Sequence, residues 1–112
     1  MKIYHNPRCA KSRETLNILK EKGFSPKEVL YMKEPLGIKE LEDVVNKLGV
    51  APSALLRKNE KLFKEEFKDK SLSEQEWLLV LLEHPNLMER PIVIHENKAV
   101  IARPPENVLS IL

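Results

Sequence analysis

Two apolar runs, residues 91–95 (Pro-Ile-Val-Ile-His) and 98–102 (Lys-Ala-Val-Ile-Ala), are separated only by Glu96 and Asn97, a spacing that a β-hairpin closes. The other end of the chain starts differently. Residues 2–5 form a short strand pattern ended by Asn6-Pro7, and a helical pattern follows from about Cys9 to Lys22. Leu16 and Leu19 share one face of that helix, Gly23 stops it, and residues 27–31 suit a second strand. A strand–helix–strand start favours a parallel pair with a right-handed crossover. A parallel pair at one end and an antiparallel hairpin at the other demand a mixed sheet.

The middle of the chain is helical. Ile38, Leu41, Val44, Val45 and Leu48 fall on one helical face, which Gly49 closes. Pro52 suits the first turn of a short helix carrying Leu55 and Leu56, and Leu62, Phe63 and Phe67 mark another amphipathic piece. Ser73 followed by Glu76 spells a capping box ahead of Trp77, Leu78, Leu81 and Leu82, and His84-Pro85 ends that helix. Pro104-Pro105-Glu106 opens a last helix with Val108, Leu109 and Leu112 inward. This order predicts an α/β, thioredoxin-like fold: a mixed four-stranded sheet with a helical insertion between strands 2 and 3. No linker or repeat interrupts it, so residues 1–112 are expected to form a single domain.

Charge and cysteine usage narrow the function classes. Lys and Arg number 19 against 17 Asp and Glu, so no bulk charge points to nucleic acid. No apolar stretch is long enough to cross a bilayer, and the N-terminus has no signal-peptide pattern, so a cytoplasmic location is expected. The single cysteine rules out an internal disulfide. Three scattered histidines and one cysteine give no metal-ligand spacing, and no metal is expected.

A lone cysteine is by default a small buried hydrophobe. Cys9 differs because it stands at a helix start, where unpaired N–H groups and the dipole favour a thiolate. Arg8, Lys11 and Arg13 add positive charge within a turn, and Ser12 completes Cys-x-x-Ser. His5, at the end of the preceding strand, is a second group able to support the thiolate. A phosphatase-type loop would need arginine six positions after the cysteine, where Thr15 stands. His84, in a helix-stop signal, and His95, at a turn, suit structural or solvent-facing roles. Arg57, Arg90 and Arg103 each sit at an element boundary beside apolar residues. Guanidiniums converging there would bind a tetrahedral oxyanion through paired, charge-assisted hydrogen bonds.

The run His5-Asn6-Pro7-Arg8-Cys9-Ala10-Lys11-Ser12-Arg13 resembles the active-site segment of the glutaredoxin-linked, glutathione-dependent arsenate reductase family. Ala54-Leu55-Leu56-Arg57-Lys58-Asn59, His84-Pro85, Glu89-Arg90-Pro91-Ile92-Val93 and Ala102-Arg103-Pro104 resemble that family's other signatures, in its order. The resemblance implies that Cys9 is the nucleophile, with His5 and Ser12 supporting its thiolate. It implies oxyanion binding by Arg57, Arg90 and Arg103, a cis Arg90-Pro91 bond, and supporting roles for Asn6, Arg13 and Pro91. It also implies arsenate as substrate, no bound cofactor, glutathione as co-substrate and glutaredoxin as partner. Cys9 would attack arsenic, glutathione would attack the adduct, glutaredoxin would remove the glutathione, and arsenite would leave. One cysteine fits this scheme, because external thiols must then supply the electrons.

Ala10-Lys11 stands where arsenic-resistance members commonly carry Gly-Thr, and the spelling is closer to members of unassigned physiological substrate. Two alternatives follow from the same residues. One is a glutathione-linked thiol oxidoreductase acting on another substrate. The other is a non-enzymatic transcriptional regulator that binds RNA polymerase. Regulators that sense through a disulfide need a second cysteine at the position of Ser12, and regulators do not need the arginines.

Overall fold

In the computed structural model, which describes residues 1–112, four strands form one sheet. They are β1 (Lys2–Tyr4), β2 (Lys27–Val29), β3 (Ile92–His95) and β4 (Lys98–Ile101), in the order β2-β1-β3-β4. β1 and β2 are parallel; β1–β3 and β3–β4 are antiparallel, which gives the mixed sheet expected from the two chain ends. The hairpin turns on Glu96 (φ 57) and Asn97 as the two-residue spacing requires.

The chain divides into two compact units, residues 1–34 with 90–112, and residues 35–89. In the first, helix α1 (Ala10–Glu21) crosses from β1 to β2. Its Leu16 and Leu19 pack with Ile3, Val93, Ala102, Val108 and Ile111 in one buried cluster. The apolar spacing seen in the sequence is therefore the face that covers the sheet. Gly23, at φ 91, takes the left-handed position after α1, and the Phe24 N–H returns to the Leu19 carbonyl.

The second unit is the helical insertion. It holds α2 (Ile38–Leu48), ended by Gly49 at φ 70, and α3 (Glu74–Glu83). The Ser73–Glu76 capping box is complete in both directions, with the Ser73 hydroxyl accepting the Glu76 N–H at 3.2 Å. Trp77 lies buried against Phe63 and Phe67, with ring centroids 6.1 Å away in each case.

Three segments differ from the sequence reading. Phe63–Phe67 forms a single π-helical turn rather than an ordinary amphipathic helix; both phenylalanines are buried, with the Lys68 N–H bonding back to the Phe63 carbonyl. The last segment, Pro105–Ile111, is 3₁₀-helical, so its inward residues are Val108 and Ile111, three apart, while Leu109 and Leu112 are exposed. β2 ends at Val29, since Leu30 to Glu34 fold into a turn with two N–H groups on the Leu30 carbonyl. No helix is long and apolar enough to cross a membrane.

Candidate active site

Strand register decides what meets at the end of β1. Tyr4 pairs with Ile92, and Ile92 pairs with Ile101, so the residues beyond those pairs share one edge of the sheet. They are His5 after β1, Arg90-Pro91 before β3, and Ala102-Arg103 after β4. The Ala102 N–H donates to the Pro91 carbonyl at 2.9 Å, and Arg103 Nη1 donates to the Arg90 carbonyl at 3.3 Å. Arg90-Pro91 is cis, and so is Arg103-Pro104, which the sequence reading did not anticipate.

The loop from His5 to Cys9 is held by its own side chains. Asn6 engages it three times: its carbonyl accepts the Cys9 N–H (2.9 Å), its Oδ1 accepts the Arg8 N–H (3.0 Å), and its N–H donates to Ser12 Oγ (3.1 Å). Arg13 Nη1 folds back to the Pro7 carbonyl at 2.8 Å. Asn6 and Arg13 thus fix the turn that delivers the cysteine.

Cys9 is the N-cap of α1, with extended backbone (φ −91, ψ 121), and its side chain is half-buried and makes no capping bond. The Arg13 N–H donates to the Cys9 carbonyl as the first helical bond. The first turn of α1 holds no acidic residue, so no carboxylate there competes with a thiolate for the open N–H groups of the helix end.

His5 and Ser12 are buried, the serine completely. His5 Nδ1 lies 2.6 Å from Ser12 Oγ. Their partnership is with each other; neither hydrogen-bonds the Cys9 sulfur. Burial pushes the His5 imidazole below its ordinary value of 6.5; Glu28 opposes this, while Arg13 and Lys20 add to it. The histidine is therefore neutral at pH 7. Because the unfolded chain binds the proton more tightly, stability contributed by this site is complete above pH 6.5 and declines as pH falls through the folded value. Thermal unfolding between pH 7 and 5 is expected to show this loss, and His5→Asn is expected to flatten it. An unchanged pH slope in the variant would mean that His5 is not its source.

The arginines fare differently. Arg90 Nε is buried and has no hydrogen-bond partner, an uncommon condition for a guanidinium N–H. Arg103 is exposed and reaches over Arg90. Arg57 belongs to the second unit, where its guanidinium pairs with Glu60. His84 and His95 are ring-packing residues, against Phe67 and Phe24 respectively.

Sequence reasoning missed a pocket. A cavity of about 250 Å³ lies between the Cys9 loop and the turn after β2, lined by His5, Asn6, Pro7, Arg8, Leu30, Met32 and Lys33. The sequence pattern puts Leu30 inside a strand, and nothing local in the sequence marks Met32 or Lys33.

The ArsC family matches residues 4–111, through both units. An uncharacterized Escherichia coli K12 protein, YfgD, is 50% identical over 100% of this chain and 96% of its own length. An arsenate reductase of Haemophilus influenzae is 45% identical over 98% of this chain and 97% of its own. Among solved structures, an arsenate reductase from Vibrio cholerae superposes with TM-score 0.94 at 42% identity, covering 99% of this chain and 96% of that one. With the thioredoxin-like sheet, the Cys9 loop and the full-length match in agreement, the chain belongs to the ArsC family.

Proposed function

We propose that the protein reduces arsenate to arsenite, with Cys9 as nucleophile, Arg90 and Arg103 as oxyanion ligands, and glutathione and glutaredoxin as the source of electrons. The observation that carries this is the orphaned, buried Nε of Arg90 at the sheet edge shared with Arg103 and the Cys9 loop. An anion supplies the acceptor that this N–H lacks, and a guanidinium suits a tetrahedral oxyanion. Relatives named arsenate reductase, matched over nearly their whole length, support the substrate. The family match through both units supports treating residues 1–112 as one functional domain.

The Cys9 thiolate attacks arsenic; an S–As bond forms, an As–O bond breaks, and the oxygen leaves as water after protonation. The thiolate of glutathione then attacks the Cys9 sulfur. An S–S bond forms, the S–As electron pair passes to arsenic, and arsenite leaves. Glutaredoxin takes the glutathione from Cys9 and restores the thiol. The chain cannot resolve the adduct alone, having one cysteine. The His5–Ser12 pair with Asn6 holds the loop and keeps a neutral imidazole behind it.

Arg57 is assigned the same oxyanion role by the resemblance alone, so the proposal rests on the other two arginines. Ala10-Lys11 in the loop favours, as a second reading, the same thiol chemistry on a different oxyanion. The test is a glutathione, glutaredoxin, glutathione reductase and NADPH assay with arsenate varied. Saturable arsenate-dependent NADPH loss supports arsenate; saturation by another oxyanion alone moves the substrate.

A further inference from the structure

Two chemically different surfaces flank the Cys9 loop. Sheet order puts β3 and β4, with Arg90 and Arg103, on one side of β1, and β2 on the other. On the β2 side, the His5 N–H donates to the Val29 carbonyl at 2.9 Å, which fastens the loop to the turn at Leu30. Between them lies the cavity of about 250 Å³. Its apolar surface comes from Pro7, Leu30 and Met32, and Met32 is 47% exposed. Its only charged side chains are Arg8 and Lys33, both exposed and neither in an ion pair. The wall formed by His5 to Arg8 ends at Cys9.

A cavity with an apolar floor and two unpaired cations fits a ligand with an apolar stem and carboxylates. Its volume is below the roughly 300–1,000 Å³ of sites that enclose a ligand whole. It suits one arm of a small molecule whose remainder extends outward. The reaction also needs a second thiol at Cys9, because the chain has no other cysteine.

We infer that this pocket, on the β2 side of the Cys9 loop, docks the second thiol substrate, a small anionic thiol of the glutathione type. The oxyanion occupies the arginine side, so both reactants reach the Cys9 sulfur without competing for one anion site. This inference rests on the proposed thiol chemistry of Cys9, though not on arsenate as the oxyanion.

The test needs no oxyanion. The Cys9 thiolate attacks glutathione disulfide; a Cys9–glutathione disulfide forms, and the other glutathione leaves as thiolate and takes up a proton. Second-order rates are measured by intact mass with glutathione disulfide and with uncharged 2-hydroxyethyl disulfide, at one pH. Their ratio cancels changes in the reactivity of Cys9 itself, which matters because Arg8 adjoins it. Arg8→Gln with Lys33→Gln is expected to lower the ratio about tenfold, the product of two lost exposed ion pairs. Lys33→Gln alone, remote from the nucleophile in sequence and exposed, is expected to lower it about threefold. Added salt should lower the wild-type ratio in the same direction.

A ratio unchanged within twofold in both variants overturns the pocket. So does a ratio that holds for glutathione while the rate with a protein dithiol falls, which would make the surface a protein-docking face. Arsenate turnover with an unchanged ratio would keep the proposed function and remove this site. A ratio that falls as expected, without arsenate turnover, would keep this site and remove arsenate.

Discussion

Cys9→Ser is expected to lower arsenate-dependent turnover at least about a thousandfold, to the background of the assay. The serine hydroxyl is not ionised near neutral pH, and its oxygen cannot form the disulfide through which, in the proposed reaction, electrons would pass from glutathione. The substitution is nearly isosteric at a half-buried N-cap whose side chain makes no capping bond, so the fold should be little changed. Serine is also a good N-cap residue, which favours retention of α1. Circular dichroism and thermal unfolding matching the wild type would show that the loss is chemical. Turnover within tenfold of wild type would mean that electrons do not pass through Cys9.

The second large effect concerns the arginines. Arg103→Ala and Arg90→Ala are each expected to lower kcat/KM for the oxyanion about a hundredfold, the scale for removing one donor from a developing or bound oxyanion. Arg103→Lys should recover part of this, because lysine keeps the charge and loses the planar fork. Reaction of Cys9 with uncharged 2-hydroxyethyl disulfide separates anion binding from general damage to the thiol. A fall confined to the oxyanion reaction supports the assignment; an equal fall in both reactions would make the arginines structural. Arg103 also bonds the Arg90 carbonyl, so the two losses should be less than additive.

The parts of the fold governed by local rules were legible. The two-residue spacing at Glu96-Asn97 is a turn in the structure, Gly49 takes its left-handed position, and Ser73 and Glu76 close their box. Each depends on residues close in sequence, where turn and cap chemistry act. The start of α1 was found the same way, placing Cys9 at its N-cap.

What escaped depends on packing between distant segments. A helical period of 3.6 and a 3₁₀ period of 3 differ little over seven residues, so the sequence pattern points to Val108, Leu109 and Leu112 where the structure turns Val108 and Ile111 inward. The π-helical turn at Phe63–Phe67 accompanies the burial of both rings against Trp77, which no local pattern encodes. At the site, Cys9, His5 and Ser12 were visible as types in a spacing, but the pairing was not. His5 turns to Ser12 rather than to the sulfur, and Asn6 is the residue that ties the loop together. The pocket walls come from two segments brought together by strand pairing, so nothing local in the sequence marks Lys33 in the turn after β2.

In the proposed reaction, Cys9 and two external thiols reduce an arsenic oxyanion. The most direct test is to measure arsenite formed against NADPH consumed in the coupled glutathione and glutaredoxin assay. One arsenite per NADPH, saturable in arsenate and absent from Cys9→Ser, is the predicted result. No arsenite from protein whose Cys9 is fully reduced and still forms a mixed disulfide with glutathione would contradict it.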